Sequence, residues 1–134
     1  MANAVYPKWK EAIKQGSANS ALTGTVKAYL IDVAVRGYNA ADDFYDDVSA
    51  AVIGTPVTLT TKTYTNGVFD ADPVTFTAVT GAHVEAVGLF IDTGTPSTSR
   101  LVLYLDTGVT GLPVTPNGGD IICTWDDGAN KIFV

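Results

Sequence analysis

The chain has 134 residues, 46% of them hydrophobic and only 16% charged, with a formal net charge of −6. That length is one domain; area scaling gives roughly 6,700 Å² folded against roughly 20,000 Å² extended, enough for one core and too little for two. The acidic balance argues against a global nucleic-acid binder, because phosphate contacts need clustered Lys and Arg, and a mean hydropathy of +0.20 excludes disorder as the main state.

In chain order, Pro7 opens a helical pattern over about residues 7–15, with Trp9, Ala12 and Ile13 on one face and Gly16 as the stop. Such a helix is too short to be stable alone in water, so it must dock on its own body or on a partner. Residues 16–24 read as a linker, and Thr25–Val33 as a strand buried on much of both faces. Asn39 is placed to cap a short inserted helix, Ala40–Asp47, with Phe44 and Val48 facing inward. From Ala51 onward the pattern is strands and turns: Val57–Tyr64 and a strand from Val68 flank Asn66-Gly67, a strong hairpin signal. Val74–Val79, His83–Ile91, Arg100–Leu105, Asp120–Trp125 and Lys131–Phe133 follow, the last two joined across residues 126–130. With 18 Thr and 16 Val in the chain, this predicts an all-β fold: an antiparallel sandwich or jelly-roll-like barrel of about eight strands. The division expected is an N-terminal arm (1–24) and a single β-domain (25–134).

Charge follows the same division. Residues 1–27 hold Lys8, Lys10, Lys14 and Lys27 against Glu11 alone, whereas residues 28–134 hold four basic groups against 13 acidic ones. Two readings fit: a basic arm that meets something negative, or a short helix with three solvated lysines.

No catalytic constellation emerges. Two Asp-Thr-Gly triplets, at Asp92 and Asp106, resemble the aspartic-protease motif, but that chemistry needs two carboxylates sharing a proton across a symmetric interface; here each closes a strand and starts a turn. His83 is the only histidine and no Gly-x-Ser-x-Gly elbow accompanies it. Cys123 is the only cysteine, which excludes an intrachain disulfide and places a thiol in an apolar run. One His and one Cys cannot make a zinc site. Asp42, Asp43, Asp46 and Asp47, and the loop Asp126-Asp127-Gly128 with Asn130, lack the spaced calcium-loop pattern. The glycine-rich stretch Thr115–Asp120 precedes a β-run rather than a helix, so it reads as a turn. Tyr38, Tyr45, Tyr64 and Trp125 could form a sugar platform or serve in the core. The expectation is no enzyme, no cofactor and no metal. No apolar run is long enough for a membrane helix.

The opening Met-Ala-Asn-Ala-Val-Tyr-Pro-Lys-Trp-Lys-Glu (1–11), then Val-Lys-Ala-Tyr-Leu-Ile-Asp (26–32) and Tyr-Asn-Ala-Ala-Asp-Asp-Phe (38–44), resemble small virion proteins of tailed bacteriophages. So do Asp-Thr-Gly-Thr-Pro (92–96), Gly-Leu-Pro-Val-Thr-Pro-Asn-Gly-Gly-Asp (111–120), Trp125-Asp126 and Gly-Ala-Asn-Lys-Ile-Phe (128–133). The resemblance covers nearly the whole chain and implies a structural part of the phage particle, in particular a capsid decoration (cement) protein. It implies a homotrimer bound to the major capsid protein on the virion surface, made in the host cytoplasm; the acidic charge and the lack of a long apolar run add the expectation of no nucleic-acid or membrane partner. The alternatives are a head-fibre or tail-tip module binding cell-surface glycans, and a tail or connector part. On the cement reading, Tyr6, Lys8, Trp9, Lys10, Ile13 and Lys14 are the partner-binding residues, with Trp9 and Ile13 as anchors and the lysines matching acidic capsid patches. Removing residues 1–15 would then abolish capsid binding and leave the β-body folded.

Overall fold

The computed structural model describes residues 3–129 and 131–133. Its central layer is a five-stranded antiparallel sheet in the order β1-β8-β7-β2-β3. These strands are β1 (Ala4–Val5), β2 (Val26–Ile31), β3 (Val52–Thr58), β7 (Ala86–Ile91) and β8 (Arg100–Leu105). Two ribbons accompany it, β4 (Thr63–Thr65) with β5 (Val68–Asp70), and β6 (Val74–Phe76) with β9 (Ile121–Cys123). The described residues are thus mostly β and antiparallel, with one α-helix, α1 (Pro7–Lys14). Among the described residues no sheet closes into a barrel: the central sheet ends at β1 and β3, and each ribbon is a separate two-stranded sheet.

The three inner strands are apolar on both faces because both are covered. Pairing puts Lys27 opposite Phe90, Tyr29 opposite Gly88 and Ile31 opposite Ala86, with Tyr104 beyond Gly88. Gly88 is required there: a Cβ would lie 2.1 Å from Cζ of Tyr29, whose ring occupies that space. On this face Tyr45 stacks on Phe90 at 4.2 Å, and Tyr38 meets both Tyr6 and Tyr104. The opposite face presents Val26, Ala28, Leu30, Val87, Leu89 and Ile91, all buried in one core with Phe69, Val74, Phe76, Ile121 and Cys123 from the ribbons.

Several local expectations meet their geometry. Asn66 and Gly67 take φ of 52° and 78°, the left-handed pair a two-residue hairpin needs, and link Thr65 to Val68. Helix α1 ends at Gly16, where Gly16 N–H donates to Ile13 O and Ser17 N–H to Ala12 O, the paired bonds of a Schellman stop.

Others are corrected. Residues 40–47 do not form a helix. Asn39 Oδ1 accepts from Ala41 N–H, the Asp47 carboxylate accepts from the N–H groups of Asp43 and Phe44, and only short 3-10 turns at Tyr45–Asp47 and Ser49–Ala51 result. The backbone is diverted to pairing: Leu101 N–H donates to Asp43 O and Tyr45 N–H to Ser99 O. β3 begins at Val52 rather than Val57 and ends at Thr58. The strand expected from His83 begins at Ala86, preceded by an isolated bridge between Val84 and Val114. Phe133 bridges Phe69 instead of pairing with the strand at 121–123. Asn130 lies outside the described residues.

The reading of residues 1–24 as a separable arm needs revision at its first half. Ala4 and Val5 pair with Tyr104 and Leu103, and Tyr6 N–H donates to Val102 O. Asn3 Oδ1 accepts from the N–H groups of Asp106 and Thr107. Tyr6 is fully buried, and Trp9, 6% exposed, donates from Nε1 to Ser20 O. Removing residues 1–15 therefore strips an edge strand and two core aromatics. The expected outcome is a destabilised body, with Trp9→Ala alone costing about 3–5 kcal/mol in urea unfolding; an unchanged midpoint would mean the helix adds nothing to stability.

Candidate docking surface

Helix α1 turns Trp9 and Ala12 inward and leaves Lys8, Lys10, Ile13 and Lys14 in solvent, Ile13 being 44% exposed. Lys8 reaches Glu11 at 3.5 Å, whereas Lys10 and Lys14 have no ion pair among the described residues. Of the six residues the sequence nominated, Tyr6 and Trp9 are thus committed within the chain, and the three lysines with Ile13 form the outward surface.

Beside the helix lies a cavity of about 410 Å³ lined mainly by Val5, Trp9, Leu22, Tyr64, Phe69 and Phe133, with Lys10 at its margin. Trp9 meets Phe133 edge-on at 5.7 Å, and Phe69 packs between Tyr64 and Phe133 at 5.4 Å from each. The Tyr64 hydroxyl and the Lys62 ammonium both donate to Leu22 O, which ties the linker to the β4–β5 hairpin. Tyr64 stays 45% exposed over this apolar floor. Sequence reasoning found the helical side and missed the other walls. Leu22, the hairpin and Phe133 are remote in the chain, and only the Tyr64-to-Phe69 hairpin signal pointed at any of them.

The remaining candidates are separated or engaged. Asp92 follows β7 and Asp106 follows β8; because the strands are antiparallel, the two triplets lie at opposite ends of the sheet, roughly 17 Å apart for six-residue strands. Asp92 accepts from Gly94 N–H and pairs with Lys27 at 2.9 Å. His83 is exposed, with Nδ1 at 2.8 Å from Thr115 Oγ1. Asp42 is buried against the Arg36 guanidinium, and Asp127 pairs with Lys131 at 2.6 Å. Among the described residues no three His, Cys, Asp or Glu side chains gather to hold a metal. The stretch 115–120 is a turn: Asn117 Oδ1 accepts from Gly119 N–H, and Gly118 N–H donates to Val79 O. The four aromatics proposed for sugars are dispersed. Tyr38 and Tyr45 pack on the tyrosine-rich face of the sheet, Trp125 is buried with Nε1–H donating to Asp72 O, and Tyr64 alone stands at the cavity.

Burial dominates the perturbed groups. It pushes the hydroxyls of Tyr6 and Tyr104 and the thiol of Cys123 each up to about 12. The Lys27 ammonium, helped by Gly94 N–H, holds Asp92 below the usual carboxylate range. No helix among the described residues is long and apolar enough to cross a membrane. Compared with known proteins, the chain matches no family model and no curated protein.

Two outcomes follow. Cys123 should resist thiol reagents in the folded protein at pH 8 and react once urea unfolds it; rapid labelling of folded protein would contradict its burial. Because Asp92 is depressed in the folded state, its contribution is complete above its ordinary value of 3.8 and is lost as pH falls through the lower folded value. Asp92→Asn should therefore be less stable than wild type at pH 6 and lose less stability between pH 5 and pH 2, as read from urea midpoints.

Proposed function

We propose that the chain is a non-enzymatic decoration (cement) protein of a tailed-bacteriophage capsid, bound as a homo-oligomer, in trimer form, to the major capsid protein on the virion surface. In this reading the central sheet and the ribbons are the two layers of a sandwich of jelly-roll kind. The observation that carries it is the outward face of α1: Lys8, Lys10, Lys14 and Ile13 stand in solvent beside an apolar cavity, on a chain otherwise dominated by carboxylates. A positive, partly apolar patch on an acidic body suits docking on an acidic protein surface, because such complementarity speeds encounter and rejects wrong orientations. The sequence resemblance to small virion proteins supports the same assignment. The titratable candidates add to it: Asp42, Asp92 and Asp127 are committed to ion pairs and Cys123 to the core, which suits a part that binds without chemistry.

The capsid-facing residues are then Lys8, Ile13 and Lys14, with Tyr6 and Trp9 holding the helix in place from beneath rather than anchoring it outside. The second reading, a glycan-binding head-fibre or tail-tip module, rests on Tyr64 at the cavity mouth.

Quantitative mass spectrometry of virions, scaled to the major capsid protein, is expected to find hundreds of copies. A handful would move the protein to sparse fibres or the tail. The double change Lys8→Glu with Lys14→Glu should lower occupancy of shells lacking the protein, most strongly at low salt, and leave thermal stability unchanged. Full occupancy by that variant would remove the helix from the contact.

A further inference from the structure

We propose that the cavity beside α1 is one half of a head-to-tail interface between copies of this chain, and that the outward face of β9 is the other half. The cavity is apolar at its floor, and its margin carries Lys10, which has no ion pair among the described residues; Lys14 lies one helical turn further on. An occupant that satisfies both must bring an apolar side chain and a carboxylate together. The chain displays such a pair. Among the described residues four large hydrophobic side chains are exposed, Ile13, Val35, Tyr64 and Ile122. Tyr64 belongs to the cavity and Ile13 to its own helix, while Val35 sits next to the cation Arg36.

Ile122 differs. It is 56% exposed in the middle of β9, and exposure alternates from Asp120 to Thr124, so Asp120, Ile122 and Thr124 share the outward face. Asp120 spends one carboxylate contact on its own chain, accepting from Ala78 N–H. Inserting Ile122 into the cavity of a second copy covers a large exposed aliphatic side chain and brings Asp120 toward Lys10. The charges are complementary at the contact, Asp120 on the β9 face against Lys10 at the cavity. The two patches are unlike, so the contact is heterologous: it builds a ring where the rotation closes and a filament where it does not. The contact uses the cavity side of α1 and stands whether or not the capsid reading holds.

The test is sedimentation velocity of the purified full-length chain over a wide concentration range at low and high salt. Wild type should associate, and less so at high salt. Ile122→Asp, Lys10→Glu and Asp120→Lys should each weaken association about tenfold or more. The combined Lys10→Glu with Asp120→Lys should regain most of it, because the charges are exchanged and the geometry kept. Circular dichroism melting checks that each variant folds. Asp120→Asn, which keeps an acceptor for Ala78 N–H, reads the same contact at reduced strength if Asp120→Lys melts early. A monomeric wild type, an Ile122→Asp chain that associates like wild type, or no recovery in the charge exchange would each overturn the proposal. Copy number on virions reads the capsid assignment separately.

Discussion

Strand β8 carries the constraint on which the architecture depends: an apolar strand near the rim of a sheet exposes a row of backbone donors and acceptors that must be paired or shielded. Two segments distant from it in sequence do this together. Residues 43–45 pair with its first half through Phe44 opposite Arg100 and the bonds to Leu101 and Ser99, while residues 4–6 pair with its second half at Leu103, Tyr104 and Val102. Asn3 completes the row by accepting from the turn beyond the strand. This pairing seats Tyr6 beneath the sheet and brings Trp9 against Phe133, so the position of α1 and of the cavity beside it follows from closing one strand edge.

Much of the fold was legible where a local signal and the final environment agree. Arg100–Leu105 is a strand at the expected bounds, the Asn66-Gly67 turn forms as its composition requires, and Gly16 stops the helix. Expectations failed where tertiary pairing claimed the backbone. Ala40–Asp47 has helix-compatible residues, yet Asp43 and Tyr45 serve β8, and the aspartates bond locally instead of solvating a helix face. Closure into a barrel failed for a related reason: β3 and β1 are edges, and a hairpin pattern says nothing about which strand lies beside which. At the site, periodicity identified the inward Trp9 but placed Ile13 beside it. The helix tilts so that Trp9 and Ala12 take the buried positions and Ile13 remains at the border.

The interior sets the protonation state of the buried phenols and of the thiol. Tyr6, Tyr29 and Tyr104 lie on the buried face of the sheet, and burial raises all three phenols so that they stay protonated throughout the ordinary range. Cys123 is held in the same condition. Most of the remaining charged groups are carboxylates and lysines at the surface, whose pairings are modest and sensitive to salt, while Asp32 and Asp42 are buried. The sign of that surface changes where the helix meets the hairpin, since residues 1–27 carry four lysines against one glutamate and residues 28–134 carry 13 acidic groups against four basic ones.

The joining of residues 3–6 to β8 also has a consequence for biosynthesis. Asn3 and its partner Asp106 are separated by 103 positions. At ribosomal rates of roughly 5–20 residues per second, residues 3–6 wait on the order of ten seconds for the strand that receives them. During that interval Tyr6 and Trp9 are on a nascent chain without their burial site, flanked by Lys8, Lys10 and Lys14. Residues 3–6 are thus made long before the strand that locks them down.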